Sequence, residues 1–240
     1  MDSIRQLQDL IDQAKRAVFF GGAGVSTESG IPDFRSVDGL YSQKYDYPPE
    51  QILSRTFFLS HRAEFFQFYR DRVLALDAQP NAAHRKLSEL EQAGKLQALI
   101  TQNIDGLHQA AGSVHVIELH GSVHRNHCLK CGRSFDALYM KNAPGVPVCP
   151  CGGAVKPDVV LYEEPLDPEV IDRAIGALRT ADLLIIGGTS LVVYPAAGLI
   201  DYFRGKRLIV INRTELGSQR ADLFIQGSIG EVLSKIEVRA

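Results

Sequence analysis

Apolar residues recur at helical spacing at the start of the chain and then give way to a continuous apolar run. Ile4, Leu7 and Ile11 share one face of a helix predicted over residues 3–16. The run from Ala17 to Phe20 shows no alternation, which is typical of a strand buried on both faces. It stops at a glycine-rich turn, after which we expect a second helix, so the predicted order is helix, buried strand, turn and helix.

Apolar runs of the same kind return further along the chain, at residues 96–101, 114–119, 182–186 and 208–211. Helical patterns cover residues 61–77, 81–94 and 168–180. The first of these helices carries an aromatic stripe that we expect to pack in a core: Phe65, Phe66, Phe68 and Tyr69. Strands without alternation imply a parallel sheet with both faces covered. We therefore predict an α/β fold that binds its ligand at the carboxyl ends of the strands.

The composition is that of a globular protein with a full core. Of the 240 residues, 45% are hydrophobic and 22% are charged, and the formal net charge is −2. This length suits one large domain, or one domain with a smaller insert. The near-neutral charge argues against nucleic acid and anionic membrane surfaces as partners. Because the start of the chain is polar and no apolar stretch approaches about 20 residues, we expect a soluble, cytoplasmic protein.

The four cysteines of the chain fall in one short segment as two close pairs. Cys128 and Cys131 form a Cys-x-x-Cys pair, and Cys149 and Cys151 form a tighter Cys-x-Cys pair. Four thiolates complete a tetrahedral, structural zinc site with no open position. Free or redox-active thiols are the alternative. Two histidines near the pairs, His124 and His127, are alternative zinc ligands, but four thiolates are sufficient, so we expect both to lie at the surface or beside the ligands.

The candidate chemistry lies at the ends of the predicted strands. The turn Gly22-Ala23-Gly24 allows a backbone to approach a phosphate, although a tight connection explains such a turn equally well. An ordinary dinucleotide site also has an acidic residue about 20 positions later, at the end of a second strand, and this chain has a loop there. Other polar residues that follow predicted strands are Gln102, Asn103, Asp105 and His120. An imidazole titrates near neutrality and can accept a proton.

Several motifs occur in one order over nearly the whole chain. They are Gly22 to Arg35 (GAGVSTESGIPDFR), Thr101 to His108 (TQNIDGLH), Glu118 to Gly121 (ELHG), the two cysteine pairs, Gly188 to Ala197 (GTSLVVYPAA) and Ile211-Asn212. This set resembles the sirtuins, the NAD-dependent protein lysine deacylases. The resemblance implies a Rossmann-like parallel-sheet domain with a smaller domain made of a zinc ribbon and a helical segment. We expect the large domain to comprise residues 1–35, 77–122 and 157–240, the helical segment 36–76, and the zinc-binding insert 123–156.

The resemblance also implies that NAD and an acyl-lysine enter one cleft from opposite sides. The residues expected to bind NAD are Gly22, Ala23, Gly24, Thr27, Phe34, Arg35, Gln102, Asn103, Ile104, Asp105, His120, Gly188, Thr189, Ser190, Asn212 and Ile229. The acyl-lysine channel is expected to include Phe34, Val160, Leu161 and Val193. Zinc would be structural and remote from the chemistry.

By the same resemblance, His120 and Asn103 are the expected catalytic residues. The acyl oxygen of the modified lysine would attack C1′ of the nicotinamide ribose as nicotinamide leaves. His120 would act as base toward the ribose hydroxyls, and Asn103 would position water and ribose. The products would be free lysine, nicotinamide and O-acyl-ADP-ribose, so the expected partners are acetylated proteins.

Two sequence motifs of the sirtuins indicate how the peptide is bound and which acyl group is preferred. Where sirtuins usually show Val-Phe-Phe-Gly-Glu, this chain has Val160-Leu161-Tyr162-Glu163-Glu164. Deacylases that prefer succinyl or malonyl groups carry a Tyr-x-x-Arg pair, and the stretch taken to correspond, Phe66 to Tyr69, lacks it. We therefore expect acetyl and other neutral acyl groups.

Other functions are consistent with parts of the same pattern. A protein ADP-ribosyltransferase would use the same NAD pocket, and a dehydrogenase would use the same α/β fold. A zinc-ribbon binding module is the non-enzymatic alternative. Release of nicotinamide without a change of redox state would separate a deacylase from a dehydrogenase.

Overall fold

A six-stranded parallel sheet forms the centre of the computed structural model, which describes residues 2–34, 39, 46–215 and 221–239. The strands of the protein are β1 (Ala17–Gly21), β2 (Leu96–Thr101), β3 (Val116–Glu118), β4 (Gly121–Cys128), β5 (Ser134–Phe135), β6 (Val155–Val159), β7 (Leu183–Gly187), β8 (Arg207–Asn212) and β9 (Leu223–Gln226). The central sheet has the order β3-β2-β1-β7-β8-β9. This is the doubly wound arrangement of a Rossmann fold, and its strand order reverses between β1 and β7. The predicted parallel sheet is confirmed.

Helices cover both faces of this sheet. The α-helices are α1 (Ser3–Gln13), α2 (Pro49–Ile52), α3 (Arg55–Ser60), α4 (Arg62–Phe68), α5 (Ala82–Gln92), α6 (Leu107–Ala110), α7 (Ala137–Asn142), α8 (Pro168–Thr180) and α9 (Ile229–Leu233). On one face, Leu7 of α1 and Leu87 of α5 pack with Leu233 of α9. On the other face, Ala174 and Leu178 of α8 are buried. Among the described residues, no helix is both long and apolar enough to cross a membrane.

Side-chain caps explain why two helices begin where the sequence predicts. The Asn81 side chain accepts hydrogen bonds from the N–H groups of Ala83 and His84, and His84 Nδ1 accepts from the Asn81 N–H, which completes a capping box. Asp167 caps α8 by accepting from the Glu169 N–H at 2.8 Å. The observed α8 has the predicted bounds.

The first helix is shorter than the predicted 3–16 and ends at Gln13. The N–H groups of Lys15 and Arg16 donate to the carboxylate of Asp182, at 2.9 and 3.0 Å. These long-range bonds hold the backbone outside the helix and lead it into β1. The end of the helix is therefore set by a tertiary contact.

The predicted helix after the glycine turn is wrong, because the chain forms two short 3₁₀ turns there, Ala23–Val25 and Thr27–Ser29. The carbonyl oxygen of Val25 accepts from Asn81 Nδ2 at 2.8 Å instead of from a following helical N–H. A side chain distant in sequence thus shapes this loop.

A smaller part of the molecule contains the cysteines and the aromatic stripe. Strand β4 pairs antiparallel with β5 and β6, and these three strands form a second sheet. Phe65 and Tyr69 pack in one core with Val123 and Val155, which confirms that the stripe is buried. The single helix predicted over residues 61–77 is instead α4 followed by a π-helical turn, Tyr69–Val73. The predicted domain borders at 123 and 156 fall within β4 and β6 and stay a prediction.

Candidate active site

One cavity of about 520 Å³ lies at the carboxyl ends of β1, β2, β7 and β8. Of the residues predicted to bind NAD, those that line it are Gly22, Ala23, Gly24, Thr27, Phe34, Gln102, Asn103, Ile104, Asp105, His120, Gly188, Thr189, Ser190, Asn212 and Ile229. The predicted channel residues Val160, Leu161 and Val193 line the same cavity. Arg35 lies outside the described residues. The cavity is where ligands bind in sheets of this topology, at the point where the strand order reverses.

Glycines at the ends of β1 and β7 allow two loops to touch. The N–H of Gly24 donates to the carbonyl oxygen of Gly188 at 2.8 Å. A Cβ atom on Gly24 would lie 2.8 Å from the Gly188 Cα atom, and one on Gly188 would lie 2.5 Å from the Val25 nitrogen. Gly188 also has φ +58°, in the left-handed region that favours glycine. The Gly24 N–H is therefore used within the protein, and phosphate binding by these glycines stays a prediction.

Gln102 connects several strand ends through hydrogen bonds of its backbone and its side chain. Its N–H donates to the Gly21 carbonyl oxygen at 3.0 Å, and its Nε2 donates to Thr189 Oγ1, also at 3.0 Å. Its own carbonyl oxygen accepts from the ring of His120 at 2.9 Å. Gln102 therefore fixes the loops after β1, β3 and β7 relative to one another.

The contact between His120 and Gln102 determines the tautomer of the imidazole. A carbonyl oxygen only accepts hydrogen bonds, so Nδ1 carries the proton and Nε2 keeps its lone pair. Burial lowers the pKa of His120 below its usual value of 6.5, and the bond to Gln102 opposes this effect in part. At neutral pH the imidazole is therefore uncharged and can accept a proton at Nε2.

Asn103, Ser26 and Asp105 form a chain of hydrogen bonds at the cavity wall. Asn103 Nδ2 donates to Ser26 Oγ at 3.0 Å, and Ser26 Oγ donates to Asp105 Oδ2 at 2.6 Å. Burial raises the pKa of Asp105, and the Ser26 bond lowers it in part. Ser26 is buried and lines the cavity, so it is a site residue in addition to those predicted from the sequence. Its position within the glycine motif is the one signal that marks it.

The loop that carries Asp105 is bonded to the first strand of the cysteine-containing part. His124 Nε2 donates to the Asp105 carbonyl oxygen at 2.9 Å, and the Val123 N–H donates to the Ile104 carbonyl oxygen at 3.0 Å. Both donors belong to β4, which ends at Cys128. The cysteine cluster is thus joined to the cavity by one continuous strand.

The four cysteines meet in a geometry that fits zinc. Their Sγ atoms all lie within 4.8 Å of one another, and contacts of 3.5, 3.7 and 3.4 Å join the pairs Cys128–Cys151, Cys131–Cys149 and Cys131–Cys151. A tetrahedral site with Zn–S bonds of about 2.3 Å places sulfurs about 3.8 Å apart. No disulfide joins any two of these four cysteines in this structure. The two histidines weighed as alternative ligands lie outside this cluster.

Tyr69 and Arg72 line the cavity together and have the Tyr-x-x-Arg spacing. The interpretation that the chain lacks this pair is therefore wrong. The pair begins at Tyr69, the last residue of the stretch Phe66 to Tyr69 in which it was expected. The Tyr69 side chain is buried, and its hydroxyl has no hydrogen-bond partner in the part of the chain that is described. A buried hydroxyl normally has a partner, so this one is available to a ligand group.

Known proteins are similar to this chain over nearly its whole length. A family profile described as the Sir2 family matches residues 22–195. The chain is 56% identical over 241 residues to an NAD-dependent protein deacetylase of Clostridium acetobutylicum and 56% identical over 240 residues to one of Clostridium perfringens, with 98% of each chain covered in both cases. A solved Sir2 homolog–NAD complex is 41% identical with a TM-score of 0.87, covering 96% of this chain and 91% of that one. A solved Sir2 variant with a deacetylated p53 peptide and 3'-O-acetyl ADP-ribose is 37% identical with a TM-score of 0.89, covering 97% and 96%.

Proposed function

Because this chain belongs to the Sir2 family, we propose that it is an NAD-dependent protein lysine deacetylase. It transfers the acetyl group of an acetyl-lysine to ADP-ribose and releases nicotinamide, free lysine and O-acetyl-ADP-ribose. One observation carries the proposal: the imidazole of His120, the amide of Asn103 and the carboxylate of Asp105 line a single cavity beside the glycine turn at 22–24.

The cavity suits a dinucleotide in size and chemistry. Its volume of about 520 Å³ is within the usual range for small-molecule sites. We assign the nicotinamide end to Asp105 and Gln102, because a carboxylate and an amide can pair with a carboxamide. We assign the phosphates to Thr189 and Ser190, and the adenosine end to Asn212 and Ile229. When bound, NAD supplies the ADP-ribose group that accepts the acetyl group.

His120 is the proton acceptor in this proposal. Its Nδ1 proton is held by Gln102, so the lone pair of Nε2 is available inside the cavity. Burial favours the neutral imidazole at physiological pH, which is the form that a base needs. Asn103 is fixed by Ser26 and orients the groups that His120 deprotonates.

The apolar part of the cavity suits the acyl-lysine. Phe34, Val160, Leu161 and Val193 offer aliphatic and aromatic surface to the lysine stem and the acyl methyl group. Such a lining also excludes water from the reacting groups, which protects a reactive sugar from hydrolysis. Zinc held by the four cysteines would be structural and would support β4, whose residue His124 donates to the Asp105 loop.

Tyr69 and Arg72 favour a second substrate class, lysines that carry dicarboxylic acyl groups such as succinyl. A guanidinium and a hydroxyl on one cavity wall can both donate to a carboxylate. The buried Tyr69 hydroxyl, without a partner among the described residues, is the specific observation that supports this class.

Mass spectrometry of an acetyl-lysine peptide, incubated with the protein with and without NAD, tests the proposed function. We expect loss of the acetyl group only with NAD, together with O-acetyl-ADP-ribose. ADP-ribose attached to protein would instead support the transferase, and reduced nicotinamide would support the dehydrogenase. Failure to consume NAD with any acylated peptide would contradict the enzyme and favour the binding module.

A further inference from the structure

One wall of the cavity is the segment 160–164, which follows β6. The Val160 N–H donates to the carbonyl oxygen of His120 at 3.0 Å, so this wall is bonded directly to the proposed base. Further along, Glu164 Oε2 accepts from the Leu161 N–H at 2.9 Å and pairs with Lys156 Nζ at 3.0 Å. These contacts hold the wall on the side of β6.

On its other side the wall is joined to the start of α3. The Tyr162 N–H donates to the Leu53 carbonyl oxygen at 3.0 Å, and the Arg55 N–H donates to the Tyr162 carbonyl oxygen at 2.9 Å. Glu163 Oε2 then accepts from the Thr56 N–H at 2.9 Å and from Thr56 Oγ1 at 2.6 Å. The first N–H groups of a helix have no partner within it and favour a negative charge. Glu163 therefore completes the connection between the wall and α3.

Glu163 makes these contacts from an unusual backbone conformation. Its φ is +74°, in the left-handed region that glycine adopts readily and that other residues adopt only when their surroundings hold them there. This position corresponds to the glycine of the Val-Phe-Phe-Gly-Glu motif. A glycine would adopt the same turn but would leave the Thr56 groups without the carboxylate.

We propose that Glu163 is a positioning residue for the acylated peptide, because it anchors the wall 160–162 to α3. This inference rests on the proposed function. The anchor acts on the side of the cavity lined by Leu53 and Tyr162. The loops assigned to NAD are held separately, through Gln102 and Thr189. Glu163 thus sets affinity for the peptide and leaves affinity for NAD unchanged.

Two variants of Glu163 test this role. Glu163→Gly accepts the left-handed turn but loses the anchor, and Glu163→Gln keeps an acceptor oxygen but loses the charge. The measurements are KM for an acetyl-lysine peptide, KM for NAD, the peptide Kd without NAD, and Tm. For Glu163→Gly we expect the peptide KM and Kd to rise about tenfold and the NAD KM to change less than about twofold. Glu163→Gln should give a smaller rise of the same kind.

Glu91→Gln is the matched control. Glu91 also accepts from two backbone N–H groups, those of Val114 and His115, but it does not line the cavity. This control should lower Tm without changing the peptide Kd. An unchanged peptide Kd in Glu163→Gly, or an equal rise in the KM values for peptide and NAD, would overturn the inference. A wild-type protein that binds the peptide without turning it over would contradict only the proposed function, because the Kd comparison still decides the role of Glu163.

Discussion

The Nδ1 atom of His120 lies 2.9 Å from the carbonyl oxygen of Gln102, and this contact joins the proposed base to the loops that surround the cavity. The same Gln102 donates to Thr189 Oγ1 after β7 and to the Gly21 carbonyl oxygen after β1. The imidazole is thereby held with its free lone pair on Nε2. Its orientation follows from the strand ends, and within the described part of the chain the hydrogen bond of its ring is made to a backbone carbonyl group.

The pH dependence of turnover should report the pKa of His120. Only the neutral imidazole accepts a proton, so kcat/KM should fall as the pH drops through the pKa of this group. Burial lowers that pKa, so the midpoint of the acid limb should lie below 6.5. The check is a profile of kcat/KM against pH at saturating NAD. An acid limb with its midpoint above 6.5 would contradict this assignment of His120.

Replacing Ser26 by alanine should impair activity while leaving the fold intact. The change removes the hydroxyl that Asn103 and Asp105 share, and an unmade buried hydrogen bond costs about 1–3 kcal/mol. We expect kcat/KM to fall about tenfold to hundredfold, with circular dichroism unchanged. Ser88→Ala, at a buried serine of α5 outside the cavity lining, is the control and should keep wild-type turnover. Equal activity of the two variants would show that the chain from Asn103 to Asp105 has no role in catalysis.

Removing zinc should unfold the cysteine-containing part and then abolish activity. Zinc bound by four thiolates contributes roughly 10 kcal/mol or more in small modules. Without zinc, the end of β4 that carries Cys128 is no longer held in place. The hydrogen bonds from Val123 and His124 of β4 to the loop of residues 104–105 should then be lost as well. Chelation, or Cys131→Ala, should lower Tm and release zinc in step with the loss of turnover. Metal-free protein that keeps both its structure and its activity would argue against this coupling.

Arg72→Met should alter the preference between acyl groups. If Tyr69 and Arg72 hold the carboxylate of a succinyl group, the ratio of kcat/KM for succinyl-lysine to that for acetyl-lysine should fall at least about tenfold. Tyr69→Phe should shift the ratio in the same direction. Arg70→Met is the control, because Arg70 donates to the Met140 carbonyl oxygen and does not line the cavity. A ratio that is the same in wild type and Arg72→Met would exclude this role for the pair.

Elements with strong local signals could be predicted from the sequence. Strand β2 spans the predicted 96–101 because its apolar run is buried almost without interruption. Helix α8 spans the predicted 168–180 because Asp167 and Pro168 define its start. Strand β9 was not predicted, because its apolar run, Leu223 to Ile225, is only three residues long and lies at the edge of the sheet.

The parts of the site that could not be predicted depend on contacts between distant residues. Ser26 acquires its place through Asp105, 79 positions away, and Glu163 through Thr56, 107 positions away. No local pattern encodes either pairing. The Tyr69–Arg72 pair, by contrast, is local and visible in the sequence, three positions later than the stretch Phe66 to Tyr69 in which it was expected.

The proposed role of His120 is tested by measuring nicotinamide release and lysine deacetylation in the same reaction, for the wild-type protein and for His120→Ala, with NAD binding followed separately. We predict that the wild type releases one nicotinamide for each acetyl group removed. We predict that the variant still binds NAD but yields almost no free lysine, because it lacks the imidazole that accepts the proton from the ribose. Deacetylation without nicotinamide release would rule out the proposed reaction, and wild-type deacetylation by His120→Ala would rule out His120 as its base.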